Sequence, residues 1–326
     1  MFTKGQLYIL AGCILAAACI FAVYEFWLKP PSQQPDSSVV DTTTNSDNTQ
    51  GANSSTTATE SHRELPEPLL PDAYFKLTAD SHTDVEQAGG HQEIDADMVL
   101  EYTHQRTNDG IIVTLYSMEL KMYQDGVFVE DTIMTRDKIV QQEGNQKTEL
   151  SYDEEPPEQQ AVMAASFATN LCKITLDADQ NEMGRQILSD AGFAMLKEGN
   201  LNTLRFMHGP YHRGAIRWQG VRRIPMTMGI ILDCPLDYTK ASASGNEVSI
   251  SGSLSKDEVD SPQADVAIKN VACGISGHES FDETIGDYTS GKTTLQYKFQ
   301  IFQNSARTGT LDGKIELSLE RITAKM

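Results

Sequence analysis

The chain of 326 residues is short of positive charge: 26 Lys and Arg stand against 46 Asp and Glu, a formal net charge of −20. So acidic a surface excludes binding along a nucleic-acid backbone, where phosphates must be met by Lys and Arg. It also excludes broad adhesion to an anionic membrane surface. Cysteine is scarce. Cys13 and Cys19 lie near the amino end, and Cys172, Cys234 and Cys273 are 62 and 39 residues apart. No Cys-x-x-Cys pair occurs, so neither a cysteine zinc site nor thioredoxin chemistry is suggested. At most one disulfide can join the last three. Cys273 shares strand spacing with Val271 and Ile275 and reads as a small buried apolar residue. Motifs that name a reaction are missing too. There is no Gly-x-Ser-x-Gly elbow, no phosphate-cradling Gly-rich loop, and no nucleophile context among the Ser, His and Asp residues. The sequence therefore predicts no catalytic residues and no cofactor.

One long apolar run is present. Gly5 to Tyr24 is uncharged over twenty residues. As a helix it spans roughly 30 Å, the thickness of a bilayer's hydrocarbon core. Tyr8 lies near one end, with Tyr24 and Trp27 near the other, as interfacial aromatics would. Three readings compete. Ala16-Ala17-Ala18 could end a cleaved signal peptide, but the apolar run continues past it. Leu10-Ala11-Gly12-Cys13 has the form of a lipoprotein box, but its preceding apolar region is shorter than the ~7–15 residues of a signal peptide. An uncleaved anchor over residues 1–29 suits the whole run best. It implies a single pass, with everything after Lys29 outside the cytoplasm, in the cell envelope or periplasm.

Residues 30–63 form a Ser/Thr/Asn-rich linker. Between Pro30 and His62 only Val39, Val40, Ala52 and Ala58 are apolar and no residue is aromatic. Such a tract buries too little surface to offset its conformational entropy, so disorder is expected, with an r.m.s. reach of roughly 30 Å. It holds only Asp36, Asp41, Asp47 and Glu60, so most of the acidity belongs to the domain that follows.

Residues 64–326 read as an extracytoplasmic β-rich domain with halves at about 64–187 and 188–326. Period-two alternation predicts strands over 111–120, 127–140, 173–176, 185–187, 248–254, 265–274, 293–303 and 314–322. In the last, Ile315, Leu317 and Leu319 face one way and Glu316, Ser318 and Glu320 the other. Asn108-Asp109-Gly110 and Gln124-Asp125-Gly126 are hairpin signals. Two helices are expected, one over Pro157–Leu171 with proline in its first turn, and one over Ser189–Met207, ended by Gly209-Pro210. The fold class expected is α+β: a curved, mainly antiparallel meander with one or two helices. A closed β-barrel is the alternative.

Asp177-Ala178-Asp179-Gln180-Asn181 begins like a calcium loop, but Glu182 and Leu188 stand where the sharp-turn Gly and the bidentate Glu belong, leaving a hairpin turn. His208 and His212 have zinc-ligand spacing on a helix, which Gly209-Pro210 removes. No metal is expected at either place. Between Gly199 and Leu232 there is no Asp or Glu, while Arg205, Arg213, Arg217, Arg222 and Arg223 occur with Tyr211 and Trp218. Arg offers bidentate donors and stacks on aromatics, so Arg213, Arg217, Trp218, Arg222 and Arg223 are the candidates for binding an anionic ligand or an acidic protein partner. The structural alternative is that these arginines pair with the domain's own carboxylates.

Gly277-His278-Glu279-Ser280-Phe281-Asp282-Glu283-Thr284-Ile285-Gly286 resembles a glycine–phenylalanine–aspartate strand-and-turn element of uncharacterised bacterial families of membrane-anchored or lipoprotein-like β-rich proteins. Leu176 through Arg185 resembles the aspartate turn of the same group. The resemblance implies an anchored, extracytoplasmic, β-rich domain and carries no activity. The amino terminus departs from the group's usual lipoprotein signal, which puts lipidation of Cys13 in doubt. The function expected is a membrane-anchored binding or scaffolding module, with the membrane itself as a partner through the amino-terminal helix. A carrier for a lipid or other hydrophobic ligand is the alternative, and an envelope hydrolase the third.

Overall fold

The computed structural model describes residues 73–87, 90–135, 137–151, 170–188, 204–225, 231–242, 244–260, 266–303 and 305–322. The expected anchor, the linker, most of the helix over 157–171 and residues 189–203 of the second expected helix lie outside them. No helix of the described residues is long and apolar enough to cross a membrane.

Fourteen strands make up the described chain. They are β1 Ala73–Gln87, β2 Gly90–Thr107, β3 Gly110–Gln124, β4 Val127–Thr135, β5 Lys138–Glu143, β6 Gln146–Ser151 and β7 Asn170–Leu176. Then follow β8 Glu182–Ile187, β9 Arg217–Pro225, β10 Ile231–Lys240, β11 Glu247–Asp260, β12 Val266–Asp282, β13 Asp287–Gln303 and β14 Ala306–Ile322. All pair antiparallel in one sheet, in the order β6-β5-β4-β3-β2-β1-β14-β13-β12-β11-β10-β9, with the β7–β8 hairpin attached to β3. Two six-stranded meanders thus meet along β1 and β14.

This corrects the expected α+β class. Among the described residues the only α-helical piece is Leu204-Arg205, and Asn170-Leu171, expected to end a helix, open β7 instead. The helices were expected from a proline in the first turn of 157–171 and from the start and stop signals around 189–207. The described sheet also curls over its own inner face. On β1 the residues Ala73, Phe75, Leu77, Ala79, Ser81, Thr83 and Val85 are buried, while their alternating neighbours are not. His104 on β2 and Asp287 on β13 are separated by two intervening strands, β1 and β14. In a flat sheet three strand spacings are roughly 14 Å, yet the two side chains make a 2.7 Å hydrogen bond. Thr83 on β1 and Tyr297 on β13 likewise meet at 2.6 Å over β14. The inner face is therefore concave.

Local chemistry explains the turns. Asp125 and Gly126 both have positive φ, 50° and 73°, the geometry that Asp-Gly supplies to a two-residue hairpin. At Asn108-Asp109-Gly110 the glycine instead opens β3, where a Cβ would lie 1.9 Å from the Ile174 carbonyl oxygen. The strand expected over 127–140 breaks in two, since Thr135 Oγ1 accepts the backbone N–H groups of Asp137 and Lys138 at a hairpin between β4 and β5.

Candidate functional site

Residues 204–216, which precede β9, lie against the concave face. Phe206, Met207, His208 and Tyr211 are buried. Tyr211 stacks on Phe281 at 3.6 Å between ring centroids, which places the Gly-Phe-Asp element under this segment. Its outer end is tied to the β7–β8 turn, where the Tyr211 backbone N–H donates to the Asp179 carbonyl at 2.9 Å. In that turn Asp177 Oδ1 accepts the backbone N–H groups of Asp179 and Asn181, so the carboxylate organises a hairpin as an Asx turn does.

Beneath the segment lies a buried polar hub. Asp287 accepts from His104 Nδ1 and His208 Nδ1, each at 2.7 Å, and from the backbone N–H of Tyr288. An ionised carboxylate only accepts, so both imidazoles carry their proton on Nδ1. His208 Nε2 is then a lone pair, and it accepts the Tyr102 hydroxyl at 2.7 Å. Burial, and the neighbouring His208, lower the His104 pKa to about 3. Burial lowers that of His208 as well. Burial opposes the charge of Asp287, but its contacts with the two histidines outweigh it and hold the carboxyl well below its usual range. At neutral pH the hub is one anion held by neutral donors.

His104, His208 and Asp287 are a group that could hold a metal ion by spacing. The surroundings argue against a cation there. Arg106 Nη2 stands 3.8 Å from Asp287. Arg205 is set close enough for Asp287 to favour its charge, and a cation would have to displace both Nδ1 protons beside these guanidiniums. The hub reads as a structural lock between β2, β13 and the segment before β9.

A second buried network lies beside it. Arg222 donates from both terminal nitrogens to Glu279, at 2.7 and 2.6 Å, and from Nε to the Tyr238 hydroxyl. Thr293 also donates to Glu279. Gly209 makes room for it, since a Cβ there would lie 2.7 Å from Arg222 Nε. Burial opposes the charge of Arg222, but Glu279 more than restores it and the guanidinium pKa is raised.

The sequence-predicted residues now fall into place. On β9 the alternation separates Trp218 and Arg222, which point inward, from Arg217 and Arg223, which point out. Trp218 stacks on Tyr238 and donates to the Pro210 carbonyl. Arg223 lies 3.4 Å from Asp233, and Arg213, largely exposed, 3.1 Å from Glu283. Arg217 is exposed. The structure therefore does not join Arg217, Trp218 and Arg222 into one patch. Cys172, Cys234 and Cys273 are buried free thiols.

Arg205, noted in the sequence only as one of the acid-free segment's arginines, has a different setting. It is half-buried and lines a cleft of about 440 Å³ together with His208, Arg222, Arg223, Asn181 and Asp233. Among the described residues its guanidinium has no hydrogen-bond or ion-pair partner. Burial lowers its pKa; Asp287 and Glu182 act to restore it and Arg106 against it. Glu182 is itself engaged by Arg185 through two hydrogen bonds.

No family model matches this chain, and no curated protein matches it. Among solved structures it is similar to a lipovitellin described for its lipid–protein interactions, at a TM-score of 0.40 and 7% identity, over 78% of this chain and 26% of that one. The chain thus spans about a quarter of the length of that lipovitellin chain. It is similar to Pseudomonas aeruginosa OccK5 (OpdH) at a TM-score of 0.22 and 6% identity, over 77% of this chain and 98% of that one. It is also similar to the translocator domain of the autotransporter NalP from Neisseria meningitidis, at 0.20 and 10%, over 79% and 91%. At such scores these likenesses assign neither family nor function.

Proposed function

We propose that the chain is a membrane-anchored extracytoplasmic binding module, and that it seats an anionic group of its ligand or protein partner in the cleft over Arg205. The observation that carries this is a guanidinium with no hydrogen-bond or ion-pair partner among the described residues. In a chain of net charge −20, Arg222, Arg223 and Arg213 each have a carboxylate, and the half-buried Arg205 has none among the described residues. A charge withdrawn from water without a partner is costly, and a carboxylate, phosphate or sulfate at the cleft floor offsets that cost with charge-assisted hydrogen bonds. The cleft is lined mainly by polar and charged residues, which favours this reading over a carrier of hydrophobic ligands. The expected outward location rests on the uncharged apolar run over residues 5–24, read as an uncleaved anchor.

Calorimetric titration of the purified full chain with inorganic phosphate and with citrate tests the proposal. The expected result is saturable binding of at least one of the two, weakened roughly tenfold or more in Arg205→Gln, the loss of one charge-assisted contact. Arg213→Gln, outside the cleft, leaves the affinity unchanged. No binding of either anion, or equal binding by Arg205→Gln with an unchanged circular-dichroism spectrum, overturns it.

A further inference from the structure

We propose that the outer face of the β1–β2 hairpin binds one zinc-class divalent metal ion through Asp84, His91 and Glu93, with His82 as the fourth ligand. Asp84 on β1 and Glu93 on β2 are directly opposite in register, and His91 is opposite Glu86. All four side chains stand on the face away from the concave core. His91 Nε2 lies 3.3 Å from Asp84 Oδ1 and 3.8 Å from Glu93 Oε1, and His82 Nε2 lies 3.7 Å from Asp84 Oδ2. In a tetrahedral site with bonds near 2.0–2.1 Å, adjacent ligand atoms are roughly 3.3 Å apart. The two His91 separations are within about half an ångström of that edge; His82 faces the other oxygen of Asp84 and completes the set by side-chain rotation on an exposed face.

Two further features fit a metal rather than a set of surface ion pairs. The first is the orientation of His82. Its Nδ1 is bound to Asp95 Oδ1 at 2.7 Å, which leaves the Nε2 lone pair of the neutral ring toward Asp84. This carboxylate–histidine arrangement is the usual outer support of a metal-ligating imidazole. The second is the charge that the register imposes. Asp84 has Glu93 on one side and Asp312 on the other, and Asp80 faces both Asp97 and Glu316. Like charges directly opposite across strands are destabilising. The cations of the neighbouring strands are already engaged, Lys298 with Asp312 and Lys314 with Glu316. A divalent ion supplies the missing positive charge. Two imidazoles among the donors select zinc, copper or nickel over calcium or magnesium, which take oxygen ligands.

The site is independent of the Arg205 cleft, on the opposite face of the sheet. Its test is a competition titration of the chelator-stripped full chain with zinc and a chromogenic zinc indicator. One equivalent of zinc is expected to bind. His91→Ala lowers the affinity at least roughly tenfold and His82→Ala by a smaller factor, on the scale measured when metal ligands and their supports are removed. His278→Ala, on the outer face of β12, leaves it unchanged. Absence of stoichiometric binding overturns the proposal. So does binding that survives His91→Ala, or that responds equally to His278→Ala.

Discussion

Two histidine–aspartate hydrogen bonds of the same length, 2.7 Å, lie on opposite faces of one sheet. His104 Nδ1 meets Asp287 on the concave side, and His82 Nδ1 meets Asp95 on the outer side. Their imidazoles are displaced in opposite directions. Burial, then the neighbouring His208, takes His104 down to about 3, against the pull of its own aspartate. On the outer face the bond to Asp95 raises His82, with burial a lesser opposing effect and Asp84 and Glu93 adding to the rise. The same bond pulls both rings toward the charged form; burial overrides it at His104, and it prevails at His82.

The largest effects are expected where a charge pair is dry. Glu279→Gln leaves the buried Arg222 guanidinium without its counter-charge and is expected to cost about 3–5 kcal/mol. Asp233→Asn removes the partner of Arg223 on the outward side of the same strand, and is expected to cost under about 1 kcal/mol. Urea unfolding of the two variants measures the difference. A Glu279→Leu, Arg222→Met double variant restores most of the loss, because it removes both charges rather than one. If Glu279→Gln and Asp233→Asn unfold alike, water reaches the Arg222–Glu279 pair on the concave face.

The next effect is pH-dependent. His104 and His208 have lowered folded pKa values, so below the unfolded value of about 6.5 the unfolded chain binds protons that the folded hub refuses. Stability contributed by the neutral rings is fully present above that value and is lost as pH falls through the window from about 6.5 toward 3. Each histidine contributes a slope of up to about 1.4 kcal/mol per pH unit there. Asp287, held ionised, adds its own loss only below the ordinary carboxylate range near 4. Urea midpoints between pH 7.5 and 4.5 are expected to fall for the natural chain and to fall less steeply for His104→Gln. A flat profile breaks the contrast between the faces.

The same contrast decides what the sequence could reveal. Where the inward residues are apolar, as Ile315, Leu317 and Leu319 are, the alternation is plain and β14 is legible, as is the Asp125-Gly126 turn. On β1 the inward set includes Ser81 and Thr83, on β2 it includes His104 and Arg106, and on β9 it includes Arg222. Those strands were not legible, because a polar residue facing a satisfied buried network looks like one facing water. β12 appeared to stop at Gly274 for the same reason, since Glu279 continues its inward row to Phe281. The expected helices followed from a first-turn proline and from start and stop signals, and of the two segments only 170–171 and 204–207 are described. The acid-free segment was visible, and so was Arg205 within it. Its lack of a partner among the described residues was not, because which arginines find carboxylates depends on partners 57 and 70 residues away, Glu279 for Arg222 and Glu283 for Arg213. Nor could His104 and Asp287, 183 residues apart, be joined without the strand order.

The smallest effect sharpens the comparison most. Asp95→Asn removes the carboxylate that raises His82. His82 is about half exposed, so the pair is screened by water and salt and contributes at most a few tenths of a kcal/mol. The sign is opposite to that at His104. A raised folded pKa contributes stability that is present below the unfolded value of about 6.5 and is lost as pH rises through the folded one. Asp95→Asn should therefore destabilise slightly at pH 5.5, not at pH 8, and less still in 1 M salt. Its NMR titration should show the His82 ring moving down toward the ordinary value while His104 stays neutral throughout. A shift of His104 in that variant would mean that the two faces are coupled through the sheet, contrary to a description in which each face sets the charge of its own histidine.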